Sequence, residues 1–138
     1  MTTPILFAAL LSATFTKTVQ AAEPAPISPP PITREVLPSA QIAGTKPVDR
    51  VEVQKISLGA NVKPGAHIHS APVVGYIIEG SIVFQIEQQP ARILKAGDTF
   101  FEPANTVISR FDAGDAPATF MAYYLLGKDE KNELKMAP

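Results

Sequence analysis

The sequence predicts an all-β domain, an antiparallel double-sheet barrel. Three observations predict it. Apolar and polar residues alternate with period two in short runs. Clusters of Gly, Pro, Asn and Asp interrupt those runs at spacings of roughly 8–12 residues, as in sandwiches and barrels. No long run of period 3.6 occurs before the charged C-terminal stretch.

The elements follow in order. Val48 to Leu58 alternates strictly, as a half-buried strand does. Val73 to Ile78 is β-branched and aromatic. Glu79-Gly80-Ser81 turns the chain into Ile82 to Glu87, and Gln88-Gln89-Pro90 turns it into Ala91 to Leu94. Ala96-Gly97-Asp98 leads to Thr99 to Phe101, with the Asp98 carboxylate placed to accept from backbone N–H groups of its turn. Glu102 to Asn105 precedes a strand over Thr106 to Phe111, where Arg110 is expected to form a surface pair with Asp112. The final strand is Ala118 to Leu126. Residues 127–138 are charged. They read as a solvated tail with room for one short helix, Lys128 to Lys135.

Residues 1–21 read as an export signal. Ile5 to Phe15 is an apolar run of h-region length, too short to span a bilayer, and Val19-Gln20-Ala21 offers small residues at the cleavage positions. The mature chain should start at Ala22 or Glu23, in the periplasm or outside the cell, with no stable membrane span left. Residues 22–32 form a linker with five prolines, which suit neither helix nor sheet. The folded domain then spans 33–126, enough for one core. The chain has no cysteine, so an exported domain must hold by packing alone. The formal net charge is −1 and there is no basic block, which argues against nucleic acid as a partner. Small barrels protect their edges by pairing, which makes a symmetric homodimer the expected assembly.

The chemistry-bearing feature is Pro64-Gly-Ala-His67-Ile-His69, which holds the only two histidines. In extended backbone, residues two apart share a face, so both imidazoles can address one metal ion. Further ligands must come from carboxylates, amides, water or substrate, with Gln85 and Glu102 as the candidates.

With these residues in view, the chain resembles the cupins, small jelly-roll barrels. Gly65-Ala-His67-Ile-His69 followed by Gly80 is similar to the first cupin motif, and Gly97-Asp98 with Pro103 to the second. The phrases Val73-Val-Gly-Tyr-Ile-Ile-Glu-Gly80 and Ala96-Gly-Asp-Thr-Phe-Phe-Glu-Pro103 carry the likeness furthest. The resemblance implies a metal site of three histidines and one glutamate, and this chain departs from it. Val73 stands at the glutamate position, Asn105 at a glycine position, Ile108 at the third histidine and Asp112 at the final asparagine. The expected pocket is therefore His67, His69, Val73, Gln85 and Ile108, more apolar than a full metal centre. The primary expectation is an exported barrel that binds a small organic molecule, with a divalent transition metal held weakly or not at all. The alternative is a metal-dependent enzyme (isomerase, lyase or oxygenase) with His67 and His69 as ligands.

Overall fold

The computed structural model describes residues 34–138 apart from 38 and 45. The expected signal and the whole of the expected linker lie outside the described residues. Among the described residues nine strands form: β1 Arg50–Leu58, β2 His67–His69, β3 Val73–Glu79, β4 Ser81–Ile86, β5 Arg92–Lys95, β6 Thr99–Glu102, β7 Val107–Ala113, β8 Ala118–Leu126 and β9 Leu134–Met136. They make two antiparallel sheets, ordered β1-β8-β3-β6 and β5-β4-β7-β2-β9. This is an all-β antiparallel fold, as the alternation predicts, and the double-sheet jelly roll that the cupin resemblance implies.

The turns show why the chain reverses where it does. Gly80 and Gly97 adopt φ of 77° and 95°, which L side chains disfavour. Asn105, at a family glycine position, takes φ 56°, a conformation asparagine tolerates better than most residues. The Asp98 carboxylate accepts from the Lys95 N–H at 2.7 Å, closing its turn as expected. The expected Arg110–Asp112 pair also forms, at 2.8 Å.

The core lies between the sheets. Ile77, Ile82, Phe84, Ile108 and Leu126 are buried, and the rings of Phe84, Phe100, Phe111 and Phe120 pack at centroid distances of 4.9–5.9 Å. Gly75 lies beneath Phe100, and a Cβ there would land inside the ring. The glycine is what allows the ring to lie flat on β3. Outside, Val51, Val53, Val74, Tyr76 and Tyr123 are exposed along the β1-β8-β3 face.

The C-terminal stretch corrects the reading of a tail with a helix over 128–135. Instead β9 joins the edge of β2, pairing His67 with Met136 and His69 with Leu134. The segment leading to it is tied down by Glu130, whose carboxylate pairs with Lys46 and accepts from the Gly127 N–H at 2.8 Å. Arg50 Nη2 donates to the Glu130 carbonyl at 3.0 Å. These contacts, and Ser70 donating to the Lys131 carbonyl, hold the chain in place where helical periodicity would have to win alone.

Candidate metal centre

Both histidines come from the three-residue β2, where alternation buries them and leaves Ile68 between them half-buried. They point inward together, at 5% and 6% exposure, with ring centroids 5.1 Å apart and edge to face. The His67 Nδ1 lies 3.0 Å from the Gly65 carbonyl. A carbonyl only accepts, so the proton sits on Nδ1 and Nε2 is left with its lone pair.

The third group is Glu102. It is buried at 3% exposure, and its Oε2 lies 3.2 Å from His69 Nε2. One donor atom from each of His67, His69 and Glu102 can be chosen so that all lie within 4.8 Å of one another. Strand register explains how the carboxylate arrives. Val73 on β3 sits directly opposite Glu102 on β6, and directly opposed side chains share a face and a small volume of space. The family's glutamate position is thus filled by Val73, and the carboxylate enters from the neighbouring strand instead. On β6, Phe100 and Glu102 alternate inward past the half-buried Phe101. That alternation, continued from a core phenylalanine, is the sequence signal for Glu102.

The other expected pocket residues divide. Val73 lines the cavity beside the histidines, at 1% exposure. Gln85 does not. Alternation buries Ile82 and Phe84 on β4 and so sends Gln85 to the opposite face, where its Nε2 donates to the Gln89 carbonyl at 2.9 Å. Ile108 is fully buried opposite His67 in the register, but it belongs to the core and not to the cavity wall. A bulge on β7 near Ile108, opposite Gln85 and Ile86, breaks the alternation that would otherwise project along that strand.

Around the triad the cavity measures about 180 Å³. Leu134 of β9 and Pro64 border it, and Phe100, Phe111 and Phe120 line it. Tyr124 also faces in, its ring 5.5 Å from that of His69. Burial pushes the Tyr124 hydroxyl pKa up, the Glu102 carboxylate adds to the rise, and a hydrogen bond with Asn132 opposes it. The phenol therefore keeps its proton at neutral pH.

The donor set suits a divalent transition ion. Two imidazoles and one carboxylate are borderline ligands that fit iron, manganese, cobalt, nickel or zinc better than calcium or magnesium, which want oxygen alone. A two-histidine, one-carboxylate face also leaves coordination positions open for water or substrate. His69 Nδ1 supports the fit, since it is buried with no hydrogen-bond partner, a costly state for a polar atom in protein alone. Added carboxylate thus lifts the premise behind weak binding, that only two protein ligands are available. His67, His69 and Glu102 could hold a metal together.

Solved structures place this fold. The chain is similar to the DMSP lyase DddQ from Ruegeria pomeroyi at 22% identity and a TM-score of 0.57, over 64% of this chain and 43% of that one. It is similar to an oxalate oxidase solved in complex with the substrate analogue glycolate, at 18% identity and a TM-score of 0.54, over 62% and 45%. A cupin-like protein from Thermotoga maritima matches at 22% identity and a TM-score of 0.53, over 63% and 64%. The chain thus spans less than half the length of the lyase and the oxidase, and at these identities the likeness establishes the fold alone. A search of curated protein sequences gave no match. The Cupin domain family model, however, matches residues 53–124, more than half of the sequence, and the chain belongs to that family.

Proposed function

We propose that this chain is a metal-dependent cupin that acts on a small organic molecule in its barrel. One observation carries the reading: three buried donor groups from two different sheets converge at the wall of one cavity. Buried ionisable groups are rare unless paired or metal-bound, and His67, His69 and Glu102 are all buried here. A divalent ion would supply Lewis-acid activation of a bound oxygen or acidify a bound water. The protein's part is to orient His67 through the Gly65 carbonyl, to aim Glu102 at His69, and to exclude bulk water with Val73 and the phenylalanines. Tyr124 offers a protonated hydroxyl at the same cavity. Lyase, isomerase and oxygenase chemistry are all open to such a site.

Elemental analysis of untagged protein tests this. We expect one divalent transition ion per chain, lost in His67→Ala. Protein that stays metal-free after reconstitution with iron, manganese, nickel, cobalt and zinc would leave only the metal-free binding barrel.

The same proposal takes residues 1–21 as an export signal, so N-terminal sequencing of the mature protein should begin at Ala22 or Glu23. It takes two copies to pair through the exposed, mostly uncharged β1-β8-β3 face, which would appear as a dimer mass in light scattering.

A further inference from the structure

Among the described residues, the wall around the triad has no cation. Ile56, Leu58, Val73 and three phenylalanines make up most of it, and neither lysine nor arginine takes part. The lysines adjoining wall residues in sequence, Lys55 next to Ile56, Lys63 next to Pro64 and Lys135 next to Leu134, are exposed to water. Arg110 is paired with Asp112 and Lys46 with Glu130. The volume, about 180 Å³, is only slightly larger than the cavity of about 150 Å³ that holds benzene in another protein.

We infer that this site takes small, largely apolar molecules with a single monoanionic oxygen-chelating head, and that it discriminates against dianions. The inference rests on the metal reading above and names the substrate class of the same site. Charge decides it. Metal-bound imidazoles are neutral ligands, so a divalent ion held by His67, His69 and Glu102 leaves one net positive charge. A monoanionic chelator neutralises that charge. A dianion would bury a second negative charge against phenylalanine and leucine, with no cation among the described wall residues and only the Tyr124 hydroxyl as a donor to meet it. The body of the ligand faces Phe100, Phe111 and Phe120, which favour a hydrocarbon or aromatic group. The size limits that body to about one ring.

The test uses the full chain loaded with cobalt(II), with cobalt content measured first. Tropolone serves as the monoanionic aromatic chelator and oxalate as the dianionic one. Binding is read by calorimetry and by the change in the cobalt visible spectrum. In wild type, tropolone should bind at least about 100-fold more tightly than oxalate. Leu134→Arg puts a guanidinium at the cavity border from a residue that is 54% exposed. It should strengthen oxalate by on the order of tenfold, the scale of one charge-assisted hydrogen bond, and change tropolone by less than about threefold on the same reasoning. Oxalate binding as tight as tropolone in wild type overturns the inference. So does an unchanged preference in folded Leu134→Arg. A chain that takes up no cobalt overturns the metal reading itself, a result distinct from either.

Discussion

Along β3, β6 and β8 the barrel interior changes character within one step of the register. One row across the first sheet is Gln54, Ala122, Gly75 and Phe100, and it belongs to the packed aromatic half. The next row is Glu52, Tyr124, Val73 and Glu102, and it borders the histidines. The backbone is the same in both rows, and so are the alternation and the pairing. What differs is the demand on each side chain. Phe100 needs only volume, which Gly75 surrenders to it. Glu102 needs a partner for its charge, and it finds His69 at 3.2 Å. The contrast teaches that the site adds chemistry to the barrel without altering its framework. Stability and metal binding should therefore separate under mutation.

Phe100→Ala is the strongest way to break that separation. It should cost about 3–5 kcal/mol, as large-to-small changes in a packed aromatic core do, in urea unfolding of the metal-free protein. If Phe100→Ala spared stability but abolished metal uptake, the two rows would not be independent. Metal binding comes next in size. An ion at 100 times its dissociation constant stabilises the folded state by about 2.7 kcal/mol, which in a domain of this size raises Tm by roughly 10 °C or more. Differential scanning calorimetry should show the rise in wild type and none in His67→Ala.

The displaced carboxylate gives a sharper test. Glu102→Val alone should weaken metal binding by at least about 10–100-fold, no less than the loss of an outer-sphere partner does. Adding Val73→Glu returns a carboxylate from the opposite strand to the same space and should recover most of the affinity, measured by competition with a coloured chelator. Failure of the swap to recover it would mean that opposed positions are not equivalent here.

The smallest effect concerns Glu130. The Gly127 N–H donating to it, and then Lys46, hold its carboxyl below the usual 4.5. A lowered folded-state pKa stabilises the protein above the unfolded value, and that stabilisation is lost as pH falls through the folded one. Glu130 is half-buried at the surface, where solvent screens its pairing, so the contribution should amount to no more than about 1 kcal/mol. Glu130→Gln should flatten the loss of stability below pH 4.5 in acid unfolding curves.

Much of this architecture was legible in the residues, and for a physical reason. Strands that bury one face write the fact in period two, so Ala118–Leu126 was readable to the residue. The inward histidine pair follows from the same rule. Gln85 shows the rule neglected, since Ile82 and Phe84 already assign its strand's inner face. Glu102 shows its limit. Motif spacing counts along the chain, whereas the carboxylate reaches the site across a strand pair, and register is not written in spacing. The third case is β9. Leu134-Lys-Met136 is too short to show a period, all three residues are exposed, and only its partner strand makes it a strand.

The pairing of β2 has a consequence for the order of assembly. Among the described strands, the segment carrying both histidines pairs with β7 and β9, the His69 carbonyl also accepts from the Asn105 N–H, and all of these are synthesised after it. A chain made from its N-terminus presents residues 67–69 with no paired strand until 107–113 arrive, and with one open edge until 134–136 do. Such distant closures are the slow steps in β proteins. The imidazoles are thus accessible from the side during maturation in a way they are not afterwards, and any ion taken up in that interval would come from the metals that surround the chain then.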